Sequence, residues 1–204
     1  DHDLLVHDEF QARLHKHPLI SFLNHVQMDA TGADLSCVAL FNGALGFNQS
    51  ITMRDLVSTY VYPNTLVVKA MTGAQLKAMM EHAAQYFDVD DQGRIKVTDR
   101  FAFPKPQHYN YDMFDGVTYT IKVSNPIGSR ILDLKHKQQP VLDTDILSVV
   151  MSNYRAMGGG DYHMVLEAKT LFSGQAEMTQ ILADYFHKHS PVVVKHQENI
   201  RVIL

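Results

Sequence analysis

The sequence feature that most constrains the fold is an apolar run followed directly by a glycine-rich segment. Residues 146–151 (ILSVVM) predict a fully buried strand, and residues 153–162 (NYRAMGGGDY) then form a loop with little side-chain bulk. Glycine permits positive φ and a close backbone approach to a ligand, and Tyr154 beside the glycines offers a flat apolar face. The segment suits a planar, hydrogen-bonding ligand such as a nucleobase. A tight turn that caps the strand explains the same residues equally well.

The composition is that of an ordinary globular protein and argues against nucleic-acid duplexes as partners. The chain has 204 residues, of which 46% are hydrophobic and 20% charged, with a formal net charge of −4. A negative chain lacks the basic surface that duplex nucleic acid requires. No apolar run is long enough to cross a bilayer, and no signal-peptide pattern opens the chain. Because the first residue is Asp1 rather than Met, we expect a processed or excised piece.

Helical and strand patterns alternate irregularly along the chain. A capping box at Thr72 and Gln75 opens a helix predicted to reach Phe87, and residues 117–123 (VTYTIKV) alternate with the period of a strand. Further helices are predicted at residues 3–16 (largely solvated), 19–28, 54–60 and 175–188, further strands at 36–41, 66–71, 130–134, 191–194 and 200–204, and an acidic turn at 88–94. Without strict β-α-β alternation, the predicted fold class is α+β rather than a doubly wound sheet.

No catalytic or metal-binding motif is recognisable in the chain. The 12 histidines are scattered, and nucleophile-elbow, zinc-helix, phosphate-loop and dinucleotide-loop patterns are missing from the sequence. The acidic run Asp88, Asp90 and Asp91 is typical of a solvated loop. The single cysteine, Cys37, lies in an apolar run without a basic neighbour, so we expect a buried and unreactive thiol. We therefore expect neither catalytic residues nor a metal or other cofactor in this chain.

A second aromatic cluster, residues 109–116 (YNYDMFDG), lies directly before the alternating strand. We interpret it as a loop whose aromatic residues are not all part of the core. Two loops with aromatic and amide side chains are able to hold a base between ring faces, and stacking contributes about 1–3 kcal/mol per base. Packing of these aromatics over a sheet edge is an equally good explanation of the cluster.

The order of several short motifs resembles the C-terminal domain of the 5′-nucleotidase family, and within it the bifunctional 2′,3′-cyclic-nucleotide 2′-phosphodiesterase/3′-nucleotidases. The similarity covers residues 18 to about 165. The motifs that carry it are Gln27-Met28 with Thr31-Gly32-Ala33-Asp34, Met53-Arg54-Asp55-Leu56, Tyr62-Pro63-Asn64-Thr65-Leu66, Met71-Thr72-Gly73, Tyr111-Asp112, Gly116-Val117-Thr118-Tyr119, Pro126-Ile127-Gly128-Ser129-Arg130-Ile131 and Asn153-Tyr154-Arg155-Ala156.

The resemblance implies a fold and a binding site. The fold is a single four-layer α/β/β/α substrate-binding domain over residues 18–204, preceded by an interdomain-type helix over residues 1–17. In the family this domain holds a nucleoside between two aromatic rings. The substrate-binding residues implied or suggested here are Tyr111, Phe114, Asn153, Tyr154, Arg155, Gly158 and Gly159. For the arginine, a salt bridge to a structural carboxylate is as good an interpretation as a substrate contact.

Three departures from the family pattern refine this expectation. The metal motifs of the family's catalytic domain, G-N-H-D and G-H-x-H, do not occur, so the N-terminal metallophosphoesterase domain and its divalent metal pair lie outside this chain. Lys122 stands where many relatives have Asp, which bears on a local salt bridge. The loop at Asn42 and Gly43 lacks the glycine-arginine pattern of plain 5′-nucleotidases, which favours the cyclic-nucleotide branch.

The expected function is therefore nucleotide recognition within a secreted hydrolase of nucleotide catabolism. Its partners would be nucleoside 2′,3′-cyclic phosphates, 3′-nucleotides and the N-terminal domain of the same polypeptide, where hydrolysis occurs. The isolated chain is predicted to be inactive, and the expected location is extracellular, in the cell wall or periplasm. The alternative is a stand-alone nucleoside-binding or cell-surface interaction module without catalysis.

Overall fold

Two mixed β-sheets form the centre of the fold, which a computed structural model describes over residues 4–204. The helices are α1 (Glu9–Leu14), α2 (Pro18–Thr31), α3 (Met53–Thr59), α4 (Gly73–Ala84), α5 (Asp99–Ala102), α6 (Asn153–Ala156) and α7 (Met178–His189). The strands are β1 (Leu4–Leu5), β2 (Leu35–Ala39), β3 (Gly46–Phe47), β4 (Thr65–Thr72), β5 (Phe87–Val89), β6 (Ile95–Val97), β7 (Asp112–Asp115), β8 (Val117–Lys122), β9 (Ile131–His136), β10 (Gln139–Pro140), β11 (Ile146–Ser152), β12 (Lys169–Glu177) and β13 (Ile200–Ile203). Short 3-10 turns lie at His108–Asn110 and His163–Val165.

The larger sheet has five strands in the order β12-β4-β11-β2-β7. Only the β11–β2 pair is parallel, whereas β4 runs antiparallel to β11 and β7 antiparallel to β2. The smaller sheet has the order β10-β9-β8-β13, and its last pair is parallel. Two ribbons, β1–β3 and β5–β6, complete the strands of the described chain. This mixture of helices with parallel and antiparallel strands confirms the α+β prediction.

Helix ends follow the signals in the sequence. Pro18 occupies the first turn of α2, and Gly32 ends that helix at a φ of 69°, a left-handed conformation that favours glycine. The predicted capping box of α4 is confirmed, since the N–H of Gln75 donates to Thr72 Oγ1 at 3.1 Å and the N–H of Thr72 to Gln75 Oε1 at 2.9 Å. These contacts satisfy two backbone donors that the first turn of a helix leaves free.

The N-terminal segment differs from the solvated helix predicted for residues 3–16, of which residue 3 lies outside the described part. It begins with β1, and α1 spans only Glu9–Leu14. Arg13 and Lys16 are buried, and the Arg13 guanidinium donates to the carbonyl oxygen of Leu40 at 3.0 Å. Charged residues favoured a solvated interpretation, but tertiary contacts with the core place two of these cations inside.

Lys16 anchors this segment to both β7 and the C-terminal strand. Its ammonium donates to the carboxylate of Asp115, the side-chain oxygen of Asn199 and the carbonyl oxygen of Gln197. The Asn199 amide in turn donates to the carbonyl oxygens of β7 and β8 at 2.8 and 2.6 Å. Burial lowers the pKa of Lys16 and raises the pKa of Asp115, while their mutual attraction opposes both shifts.

Other local predictions differ from the structure in the bounds or the type of the element. Phe87 begins β5 instead of ending α4, and the predicted turn at residues 88–94 belongs to the hairpin β5–β6. Residues 109–116 contain β7 rather than only a loop. Residues 175–177 end the exposed edge strand β12, so α7 starts later than predicted, and residues 191–194 form no strand. The strands β5 and β7 were missed for the same reason, because short strands with few alternations carry little periodic signal.

Candidate functional site

Four chain segments form a cleft at one edge of the larger sheet, the edge at which the strands begin and end rather than the side of an outer strand. The parallel strands β2 and β11 both end at this edge, and their antiparallel neighbours β7 and β4 both begin there. Phe41 follows β2, Tyr154 follows β11, Tyr62 precedes β4 and Tyr109 precedes β7. Sheet register therefore brings four aromatic residues that are distant in the sequence to one place, at the edge where open α/β-type sheets commonly bind ligands.

The cleft has a volume of about 280 Å³, and five of its 13 lining residues are aromatic. The ring of Tyr62 contacts Phe41 and Tyr109 edge-on, with centroid distances of 5.0 and 6.1 Å. Tyr154 is 44% exposed and Tyr62 is 43% exposed, so both keep ring surface available to a ligand. Asn64, Lys105 and Ser152 add polar atoms to the lining. Apolar walls with a few polar groups are typical of small-molecule sites.

A buried ion pair lies at the cleft. Arg155 Nε donates to Asp112 Oδ2 at 2.6 Å, and a second guanidinium nitrogen donates to Oδ1 at 3.2 Å. The guanidinium also donates to the carbonyl oxygens of Tyr109 and Gly159, and it lies 3.8 Å from the ring centroid of Tyr162. Burial alone would lower the pKa of Arg155, but the Asp112 carboxylate raises it above its ordinary value. The salt-bridge interpretation of this arginine is therefore confirmed, because most of its donors are already engaged.

The glycine segment supports the Tyr154 side chain. A methyl group added at Gly159 would lie 2.5 Å from two ring atoms of Tyr154, and one added at Gly160 would lie 2.3 Å from the side-chain oxygen of Asn110. His82 Nε2 contacts the carbonyl oxygen of Gly160 at 2.9 Å. In this conformation the glycines permit close packing within the protein itself.

Tyr111 and Phe114, two of the predicted substrate-binding residues, do not offer their rings to a ligand in this structure. Both are fully buried, in or beside β7. The Tyr111 ring stacks on Tyr86 at 4.7 Å with an interplanar angle of 15°, and Phe114 contacts Tyr119 edge-on. Burial raises the pKa of the Tyr111 hydroxyl well above its ordinary value. Phe114 lies in β7 and Tyr111 directly precedes it, so the alternative interpretation, in which the aromatics pack on the sheet, applies to both residues.

The remaining predicted residues surround Tyr154 with structural contacts. Asn153 begins α6, and its side-chain oxygen accepts the N–H of Thr65 at 3.2 Å, which ties α6 to the start of β4. Gly158 has a φ of 81°, and its backbone N–H donates to the carbonyl oxygen of Arg155. Asn153 and Gly158 are absent from the residues that line the cleft, whereas Tyr154 and Arg155 line it.

Sequence reasoning missed Tyr62, Tyr109 and Lys105 as cleft residues. Tyr109 stands in the aromatic cluster two positions before Tyr111, and only the packing of the fold shows that Tyr111 is buried while Tyr109 remains partly exposed. Tyr62 and Asn64 occur in a motif that served only to support the family resemblance. The signal was therefore present as an aromatic and an amide before a strand, but its convergence with β11 depends on strand order.

Other chemistry-bearing groups stay apart in the described chain. Within residues 4–204, no group of three or more His, Cys, Asp or Glu is placed to hold a metal ion. Cys37 is 3% exposed, and burial raises its pKa, in agreement with the predicted inert thiol. None of the helices described is both long and apolar enough to span a membrane.

The fold and the cleft define a class, an α+β domain with an aromatic cleft at one sheet edge. The family model described as 5′-nucleotidase, C-terminal domain, matches residues 4–167, which is most of the chain. The protein therefore belongs to this family through its C-terminal domain, as the motif resemblance implied.

Individual relatives agree with this assignment. The chain is 30% identical over 189 residues to a 2′,3′-cyclic-nucleotide 2′-phosphodiesterase/3′-nucleotidase of Haemophilus influenzae, covering 82% of this chain and 28% of the relative. A Staphylococcus aureus structure described as a 5′-nucleotidase in complex with alpha-ketoglutarate is 36% identical, with a TM-score of 0.95, covering 100% of this chain and 40% of that one. A 5′-nucleotidase precursor from Thermus thermophilus shares the fold at 19% identity, with a TM-score of 0.75, over 98% of this chain and 38% of its own. The chain thus spans well under half of these proteins.

Proposed function

We propose that this chain is the nucleotide-recognition domain of a 2′,3′-cyclic-nucleotide 2′-phosphodiesterase/3′-nucleotidase. The single observation that carries the proposal is the aromatic cleft at the sheet edge, with Tyr154, Tyr109 and Tyr62 on its walls. The similarity to the Haemophilus influenzae phosphodiesterase supports the choice of substrate class. A nucleobase is planar, with two apolar faces and a polar edge, and therefore matches such a cleft.

In this proposal Tyr154 and Tyr109 hold the base between their rings. Tyr154 takes the role predicted from the sequence, and Tyr109 replaces the buried Tyr111 and Phe114. The Arg155–Asp112 pair positions both walls, because Arg155 follows Tyr154 in the chain and its guanidinium donates to the carbonyl oxygen of Tyr109 at 3.3 Å. Ligand binding would then need little rearrangement of the walls.

Hydrolysis would belong to a preceding metallophosphoesterase domain of the same polypeptide. The described residues do not fit a divalent metal pair, since they contain no converging set of ligands. This domain would bind and orient the nucleotide, and orientation of a bound substrate lowers the barrier to reaction. We also propose an exported location, which the relative described as a precursor supports.

The test is an NMR titration of the 204-residue chain with adenosine. We expect shifts in the segments that carry Tyr109 and Tyr154, and a loss of about one stacking contact, about 1–3 kcal/mol, in Tyr154→Ala. Tyr154→Phe should bind nearly as well, because the ring face does the stacking. Phe172→Ala is the matched control, since Phe172 is 48% exposed on β12 and does not line the cleft. Unchanged binding in a folded Tyr154→Ala variant would overturn the proposal.

A further inference from the structure

Lys105 differs from the other cations near the cleft in having no ion-pair partner within residues 4–204. Arg155 is paired with Asp112, and Arg100 is paired with Asp161 at 2.8 Å. Lys105 lines the cleft, is exposed, and makes no salt bridge with the described residues. Its charge is therefore the uncompensated one at the cleft, on a chain whose formal net charge is −4.

The backbone presents this lysine on a stiff segment. Pro104 and Pro106 flank it, and proline fixes its own φ and restricts the residue before it to extended conformations. The segment is also tied down beyond the lysine. The Asn42 side-chain amide donates to the carbonyl oxygen of Pro106 at 3.1 Å, and the N–H of Gln107 donates to that of Phe101 at 2.8 Å. The ammonium group therefore starts from a backbone that is largely ordered before a ligand arrives.

Stacking of a base on the aromatic walls does not require the charge of Lys105. A nucleobase or nucleoside is neutral near pH 7, and its contacts with tyrosine faces do not depend on a cation. An anionic ligand gains an ion pair with Lys105 because no protein carboxylate within the described residues competes for it. The preference grows with the negative charge of the ligand and weakens in high salt, which screens exposed pairs.

We propose that Lys105 makes the cleft selective for phosphorylated ligands by pairing with the ligand phosphate. This rests on the proposed function and adds an order of preference within it. A 3′-nucleotide with a dianionic phosphate binds more tightly than a monoanionic 2′,3′-cyclic phosphate, which binds more tightly than the neutral nucleoside. One exposed ion pair corresponds to a preference of roughly two- to five-fold.

The experiment titrates the 204-residue chain with 3′-AMP, 2′,3′-cyclic AMP and adenosine at low salt and in 0.5 M NaCl, about the range in which screening becomes strong. We expect the ranked affinities at low salt and nearly equal ones in high salt. Lys105→Gln keeps a long polar side chain without the charge, and it should bring the affinities of the three ligands to nearly the same value. Lys77→Gln is the matched control, since Lys77 is exposed on α4 and does not line the cleft.

Each outcome separates the two proposals. Adenosine binding that depends on Tyr154, with no preference for 3′-AMP or a preference that survives Lys105→Gln, overturns the role of Lys105 alone. A preference that Lys77→Gln also removes shows a general charge effect and overturns it as well. If adenosine does not bind but 3′-AMP binds and loses affinity in Lys105→Gln, the stacking proposal fails and the phosphate contact stands. If neither ligand binds, both proposals fail.

Discussion

Gly159→Ala should displace the Tyr154 ring without disturbing the fold. The φ of Gly159 is outside the left-handed range, so alanine is tolerated by the backbone. The added methyl carbon would lie 2.5 Å from Tyr154 Cε2 and Cζ and 2.7 Å from Cδ2. Ordinary carbon contacts are about 3.5–4.0 Å, so the ring must move by about 1 Å or more. Because the ring is 44% exposed, it can move toward solvent at little cost in stability.

The expected effect is therefore on binding. A ring shifted by about 1 Å loses much of its stacking contact, which is worth about 1–3 kcal/mol, so adenosine should bind roughly ten-fold more weakly. The NMR titration measures this directly, and thermal unfolding checks the fold. Gly174→Ala is the control, because Gly174 also has an ordinary φ and lies in β12 away from the cleft. In a Tyr154→Ala background, Gly159→Ala should have no further effect on binding.

Three results would refute this reasoning. Wild-type affinity in Gly159→Ala, when Tyr154→Ala binds weakly, would mean that the ring position does not matter. A large loss of stability in Gly159→Ala, with a normal Gly174→Ala, would mean that the backbone yields instead of the ring. An additional loss in the double variant would show that Gly159 contacts the ligand itself.

Four further predictions concern stability and reactivity. Lys16→Ala should cost about 3–5 kcal/mol in urea unfolding, because it leaves Asp115 buried and unpaired, and Lys16→Ala/Asp115→Asn should recover part of it. Burial lowers the pKa of His82, so the stability of the fold should be retained above about pH 6.5 and fall below it. His82→Gln should weaken this dependence of the melting temperature on pH. Cys37 should react slowly with a thiol reagent in the native protein and rapidly in urea. The pure chain with Mn²⁺ and 2′,3′-cyclic AMP should release no phosphate above a blank; metal-dependent turnover would contradict the domain assignment.

The predictable part of the fold was the part with local causes. The α4 capping box, the period-two strand β8 and the apolar run of β11 each specify their own structure. The edge strand β12 was not predictable in this way, since eight of its nine residues are exposed and no alternation marks a buried face. Its backbone is held by pairing with β4, a partner that is distant in the sequence.

Only the site residues that are recognisable from their own segment of sequence were predictable. Tyr154 follows a strand that the sequence identifies, and the structure places it in the cleft. Tyr111 was chosen over Tyr109 from the family resemblance, and the sequence of this polar-aromatic cluster does not show which of the two tyrosines the fold buries. Nothing in the sequence marked Lys105 as a site residue, because its unpaired charge is evident only once Arg155 is known to pair with Asp112.

The contacts of Lys16 also bear on how the chain folds as it is synthesised. They join residues 16, 115, 197 and 199, and the contact with Asn199 spans 183 residues of sequence. Until residues 197–199 have left the ribosome, Lys16 and Asp115 lack the amide and carbonyl groups that complete their site. Contacts between such distant residues form late because the loop they close is long. Residues 197–199 are therefore expected to complete the cooperative folding of this domain, and a ribosome stalled shortly before Asn199 would hold a domain in which Lys16 and Asp115 lack these partners.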